Sequence, residues 1–330
     1  MTPARPPAGR VALSVEGLRI RHAGRDEWRP DGVSFSVAPG EVVLVLGPSG
    51  SGKSTMTLAL DGLVPHVVPA DVEGTVRVGD LDAAAHTVAR LSEQVALVFQ
   101  DPDAQIVTGS VLDEVCFAPE NRLLPVDVVL ERAEHALRAV GLWERRHEDP
   151  DVLSGGGKQR LAIAAALASG SRVLVLDEPT ANLDATGAED VYAALRDVVA
   201  AGSRSVVLVE HDLDAAVELV DRVVVLDAQG VLAFDGHPIE VLADRAADLD
   251  RMGVWLPTAT TAALRLERAG VRFARRPLTA TELAAALDAV PELPAPPPPA
   301  ASTRVADSPA VEVRGLTVTR GRGRSRVPVL

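Results

Sequence analysis

The chain has 330 residues, 47 % hydrophobic and 3 % aromatic, with 46 acidic against 33 basic side chains and a formal net charge of −13. That length buries a full core and suggests one large domain or two smaller ones, while the acidic balance argues against a nucleic-acid partner, which calls for a clustered basic face. A single cysteine, Cys116, excludes an internal disulfide and points to a reducing compartment, no apolar run approaches the ~20 residues that cross a bilayer, and residues 1–10 lack the apolar segment of a signal peptide.

Residues 11–21 alternate apolar and polar side chains, predicting a half-buried strand, and 32–37 repeats the pattern. Residues 42–46, Val-Val-Leu-Val-Leu, are apolar throughout, as in a strand covered on both faces. They run into Gly47-Pro48-Ser49-Gly50-Ser51-Gly52-Lys53-Ser54-Thr55, which fits the G-x-x-x-x-G-K-S pattern with a helix expected over 52–63. Glycines let the backbone wrap phosphates, so that its N–H groups and the helix N-terminus face the negative charge. Lys53 is suited to reach the β- and γ-phosphates and the Ser54 hydroxyl to bind Mg²⁺. The only lysines are Lys53 and Lys158. Keeping lysine in the loop of an arginine-rich chain suggests a need for a compact point charge.

Further strands are predicted at 74–78 and 95–99. The pattern is then helical from 101 to 153, with 126–140 its clearest amphipathic stretch. Two βα units follow: strand 173–176 with helix 188–199, then strand 205–209 with helix 213–220. Residues 223–226 and 231–234 read as an antiparallel pair turning at Gln229-Gly230. Such alternation predicts a mostly parallel α/β sheet with a helical insertion. Helices are expected over 238–249, 260–269 and 279–287, the last opened by a Thr279…Glu282 capping box. Residues 291–300 read as a polyproline spacer. Beyond it, 311–318 resembles 13–20 with Val, Gly and Leu in register, as if a first strand began again before the chain stops at Leu330.

Asp177 and Glu178 end the apolar strand 173–176, which points both carboxylates at the loop across the top of the sheet. Asp177 is suited to hold Mg²⁺ directly or through water, and Glu178 to polarise an attacking water as general base. A purely structural acid pair there is costly without a cation.

With Leu153-Ser154-Gly155-Gly156 lying between the loop and this acidic strand end, residues 11–247 resemble an ATP-binding cassette (ABC) ATPase. The resemblance implies a fold of class α/β: a P-loop NTPase (RecA-like) ABC nucleotide-binding domain with an antiparallel β subdomain and an α-helical subdomain inserted at about 101–165. A C-terminal helical extension over 248–290, a Pro-rich linker over 291–309 and the start of a truncated second ABC domain over 310–330 complete the expected organisation. ATP and Mg²⁺ are the implied ligands. Gln100 matches the glutamine that touches Mg²⁺ and the water, Asn182-Leu183-Asp184 the D-loop, and His211 the switch histidine on the γ-phosphate. Ser154, Gly155 and Gly156 match the signature that contacts the γ-phosphate of an opposing cassette. Two positions depart from the pattern. Gly157 stands where glutamine is usual, and His22 where an aromatic ring stacks on adenine, with Trp28 a nearby substitute.

Residues 99–107 and 113–121, with Leu256-Pro257-Thr258 and Pro277-Leu278-Thr279, are similar to ATPases of energy-coupling factor (ECF) transporters, which import vitamins or transition-metal ions. That implies a peripheral subunit at the cytoplasmic side of the cell membrane. Its partners would be a second ABC domain (a second copy, or a paralogous or tandem cassette), a transmembrane coupling subunit and a substrate-binding membrane subunit, with no nucleic acid. The groove near 100–105 is the expected docking surface. The alternatives are a soluble tandem ABC protein acting on ribosomes or DNA, and an ATP-binding fragment inactive without a second cassette.

Overall fold

The computed structural model describes residues 11–290 except 182, 201 and 203, together with 313–316, 319–320 and 327–328. Two compact units divide between residues 293 and 294. In the first, the order is β1 (Leu13–His22), β2 (Val33–Val37), β3 (Val42–Leu46), α1 (Lys53–Leu60), α2 (Leu63–His66), β4 (Ala70–Val78), β5 (Leu81–Asp82), α3 (Val88–Leu91) and β6 (Val95–Val98). Then come α4 (Val111–Asn121), α5 (Val126–Ala139), α6 (Gly155–Ser169), β7 (Val173–Asp177), α7 (Ala185–Ala200), β8 (Ser205–Val209), β9 (Arg222–Leu226) and β10 (Leu232–Gly236). The helices α8 (Ala246–Met252), α9 (Thr258–Arg268) and α10 (Ala280–Asp288) close the unit.

The apolar runs form a six-stranded sheet of order β10-β9-β3-β8-β7-β6, parallel except for β10. Period-two geometry sends alternate side chains to opposite faces. Val42, Leu44 and Leu46 of β3 therefore pack with α6 and α7, whereas Val43 and Val45 pack with Met56 and Leu60 of α1 and the inner face of a second sheet. That second sheet is antiparallel, of order β2-β1-β4-β5. Its strand β4 begins at Ala70, four residues before the expected start. The early residues pair with the outer half of β1, placing Arg19 opposite Glu73 and Arg21 opposite Asp71 as ion pairs.

The insertion is built from α4, α5 and the start of α6, with the amphipathic 126–140 stretch forming α5. Cys116 lies buried in α4, its thiol pushed up by burial. The guanidinium of Arg122, at the end of α4, donates to the carbonyls of Ser169 and Ser92, so it ties the insertion to the sheet domain.

The expected helix over 213–220 is replaced by a single 3₁₀ turn, Val217–Leu219. Asp214 is drawn outward to accept from the Thr258 N–H at 2.7 Å, so a tertiary bond overrides the local period. Residues 238–249 divide into a π-helical turn, Ile239–Asp244, and the start of α8. At α10, Thr279 caps the Glu282 N–H while the Glu282 carboxylate accepts from Leu278 N rather than from the cap itself. In the second unit, β11 (Thr319–Arg320) pairs antiparallel with β12 (Val327–Pro328). The expected linker and most of the expected repeat strand over 311–318 lie outside the described residues, and 313–316 are not in a strand.

Helix α1 stops earlier than expected, at Leu60, because Asp61-Gly62 breaks it with Gly62 at φ 77°. Asp61 is buried, its Oδ1 finds no hydrogen-bond partner among the described residues, and burial pushes its carboxyl up to about 7. The folded chain thus binds a proton that the unfolded chain, with the ordinary value of 3.8, releases. The stabilisation this gives is complete below pH ~4 and is lost as pH rises through about 7. Asp61→Asn is expected to stabilise the protein at pH 8 by on the order of 1–4 kcal/mol. Melting curves from pH 4 to 8 check this, and an unchanged Tm at pH 8 refutes it.

Candidate functional site

The sheet places the chemistry-bearing residues at the carboxyl ends of four of its strands. The loop after β3 is held from above by the β1–β2 connection, where Arg29 donates to the Gly50 carbonyl at 3.0 Å. Gly52, at φ 97°, admits no side chain, since a Cβ there would lie 2.5 Å from the Pro30 nitrogen. Gly52 also caps α1 without a side-chain acceptor, so the first-turn N–H groups of this helix remain directed at the loop. Lys53 is 6 % exposed and its ammonium donates to the carbonyls of Gly47 at 2.7 Å and Pro48 at 3.2 Å. Burial lowers its pKa, against the opposing pull of Glu178 and Asp177.

Asp177 ends β7 and accepts from the hydroxyls of Ser54 at 3.3 Å and Thr57 at 3.1 Å. Burial pushes its carboxyl above the usual range, and those two hydroxyls pull it back. A buried carboxylate beside a serine hydroxyl is a site that a cation relieves. Among the described residues no cluster of three or more His, Cys, Asp or Glu side chains could hold an ion alone. The oxygen donors present, the Ser54 hydroxyl and the Asp177 carboxylate, fit Mg²⁺, which binds through one or two protein oxygens plus substrate phosphates.

Glu178 follows with a left-handed φ of 48°, an uncommon value for a residue with a side chain. Its backbone N–H is fixed to the Val209 carbonyl at 2.9 Å. One carboxylate oxygen faces His211 Nε2 at 2.6 Å, and the other accepts from the Gln100 amide at 2.9 Å. Gln100, Glu178 and His211, from the ends of β6, β7 and β8, thus meet at one carboxylate. Gln100 is joined there to Glu178 and not to the Ser54–Asp177 pair where a metal ligand was expected.

The cleft over the loop holds about 520 Å³ and is bordered by Ser49, Gly50, Gly52, Lys53, Ser54, Thr55, Glu178 and His211. His22 is on its wall with Nε2 3.0 Å from Thr55 Oγ1. Trp28 is not. Its ring is covered by the guanidinium groups of Arg19 and Arg21 at 4.6 and 4.8 Å. Arg25, Glu27 and Arg29 border the cleft instead.

Ser154, Gly155 and Gly156 lie elsewhere. Ser154 caps α6 by accepting from the Gly157 N–H at 3.1 Å. Gly155 opens into a different cavity of about 520 Å³, shared with Gln100, Asp103, Lys158 and Leu183 and with no loop residue. Lys158 is held there by Asp103 and Asp151. A Cβ at Gly156 would sit 3.2 Å from the Gly187 Cα, and one at Gly157 3.1 Å from the Leu153 Cβ. Small residues are what let the start of α6 approach the start of α7.

Sequence reasoning missed two supporting residues. Glu210, buried at the end of β8, accepts from Thr180 Oγ1 at 2.6 Å and from the His211 N–H at 2.9 Å, and so holds the histidine's backbone. Thr57 shares Asp177. An acid closing an apolar strand was a readable signal for Glu210. The Thr57 contact depends on helical phase and had none.

Comparison with known proteins bears directly on this arrangement. The ABC transporter family profile matches residues 30–181. A putative ABC transporter ATP-binding protein of Pyrococcus abyssi is 40 % identical over 259 residues, spanning 78 % of this chain and 92 % of that protein. The chain belongs to the ABC transporter ATP-binding family. Its fold is that of an ABC ATPase, it is an ATPase, and its ligands are ATP and Mg²⁺. The energy-coupling factor transporter ATP-binding protein EcfA1 of Symbiobacterium thermophilum is 43 % identical over 262 residues, 78 % of this chain and 87 % of that one. The ABC protein cbiO1 of Clostridium perfringens, described as part of the transporter complex cbiONQ, superposes with a TM-score of 0.64 at 29 % identity, covering 79 % of this chain and 98 % of that one. A putative ABC transporter ATP-binding protein of Streptomyces avermitilis is matched over only 49 % of its own length, at 38 % identity. No helix among the described residues is long and apolar enough to cross a membrane.

Proposed function

We propose that this ABC ATPase is the ATP-hydrolysing subunit of an ECF-type importer for a vitamin or transition-metal ion. It would work as half of a pair of cassettes bound to a transmembrane coupling subunit at the cytoplasmic side of the membrane. The observation that supports the pairing is the separation of the two clefts: the loop opens into one, and Gly155, at the start of α6, into the other. Each cassette would then bind phosphates on its own loop and offer its Ser154, Gly155 and Gly156 to a neighbour. The likeness to EcfA1 and cbiO1 supports the ECF assignment. That only 49 % of the Streptomyces relative is matched supports a neighbour in the same polypeptide.

In this reading the loop backbone from Gly47 to Thr55 and the Lys53 ammonium bind the phosphates, and Ser54 and Asp177 hold the metal. Mg²⁺, when bound, neutralises charge on the phosphate oxygens. Glu178 takes the proton from the attacking water. Gln100 and His211 fix the direction of the Glu178 carboxylate, and His211 also faces the phosphate side of the cleft. The membrane partner would dock in the groove between β6 and α4, a cavity of about 1280 Å³ reaching Gln105, Val107 and Phe117. Val107 and Leu123 expose 66 % and 90 % of their surface there. ATPase rate measured over a series of protein concentrations, with and without the coupling subunit in detergent, tests the proposal. Specific activity is expected to climb with concentration and again with the subunit. A value that stays flat in both series overturns it.

A further inference from the structure

The extension beyond β10 returns to the site. Val254 is buried, Leu256 packs against the core, and the Thr258 N–H is bound by Asp214, three residues beyond His211. Between these anchors Trp255 meets the His211 ring, with centroids 6.2 Å apart and planes at 68°, while 61 % of the residue stays exposed. This ring is fixed at both flanks and edge-on to an imidazole that itself holds Glu178 at 2.6 Å, a geometry in which aromatic pairs attract.

We infer that Trp255 is a positioning residue for His211, through which the C-terminal extension sets the orientation of the Gln100–Glu178–His211 group. The inference rests on the site reading proposed above. Steric support on one ring edge leaves the His211 side chain a single face toward Glu178, so removing the indole frees the imidazole to rotate away from the carboxylate. The contacts that hold nucleotide on the loop, from Gly47 to Thr55, do not pass through Trp255, which is not on the cleft wall. The loss therefore falls on turnover and not on affinity.

The 330-residue chain and its Trp255→Ala, Trp255→Phe and His211→Ala variants are to be compared in steady-state hydrolysis. Trp255→Ala is expected to lower kcat about two- to tenfold with KM for Mg-ATP unchanged, and Trp255→Phe to restore most of it. In a Trp28→Phe/Trp143→Phe background, where Trp255 is the sole indole, His211→Ala is expected to shift its emission. Parent-like kcat in Trp255→Ala, with His211→Ala inactive, overturns this inference alone. So does Trp255→Phe turning over no faster than Trp255→Ala, or an emission indifferent to His211→Ala. Parent-like turnover in His211→Ala overturns the site reading and this inference with it.

Discussion

Replacing Glu178 with Gln is expected to lower ATP turnover by about 10²–10⁴-fold, the usual contribution of a positioned general base, while leaving ATP bound. The amide has the same shape as the carboxylate, and it can still bond Gln100 and His211, the two partners at 2.9 and 2.6 Å. What it cannot do is take a proton. The residue's backbone N–H is tied to Val209 and its φ of 48° is a property of the loop, so the substitution leaves the path of the chain alone. Binding energy that closes the pair of cassettes then goes unreleased. Gel filtration of Glu178→Gln with ATP and Mg²⁺ is expected to show a stable dimer. Elution as a monomer contradicts both the general-base role and the two-cleft site.

Lys53→Ala is expected to weaken ATP binding by about 10²-fold or more, the scale of a lost charge-assisted contact in a buried setting. Its effect on the protein without nucleotide has the opposite sense. Burial holds the Lys53 pKa down, which means the ammonium is strained by desolvation, and its present partners are two carbonyl oxygens. Alanine removes that cost, so Tm without nucleotide should stay level or rise while the upward shift on adding Mg-ATP disappears. Isothermal titration and melting curves separate the two effects. A variant that still gains the parent's thermal shift with Mg-ATP refutes the role of Lys53. Arginine is no substitute, because its planar fork does not fit a pocket shaped for a point charge.

The placement of the candidate site was largely legible because its residues sit where an apolar pattern ends. Gln100, Asp177, Glu178 and His211 each close or follow a short apolar run, and a run of that length bounded by turn signals is consistent with a buried parallel strand. Trp255 carried no such mark. Its partner is fixed by how the extension folds back, which no local period encodes. The helix expected over 213–220 fails for the same reason, since the Asp214–Thr258 bond crosses from the sheet domain to the extension. Residues 70–73, Ala-Asp-Val-Glu, alternate apolar and polar but are too short to mark a strand alone. They extend β4 because they pair with the outer half of β1, where Arg19 and Arg21 stand opposite their acids. Trp28 illustrates the converse: its ring was available on composition, but two arginines occupy it.

The chain contains just two lysines, Lys53 and Lys158. One is buried in the loop, and the other is pinned by Asp103 and Asp151 beside the Ser154–Gly156 segment. An amine-reactive label therefore has two side-chain targets, and they stand at the two clefts. Protection of each lysine, read by mass spectrometry, follows the filling of each cleft separately, without a single engineered tag.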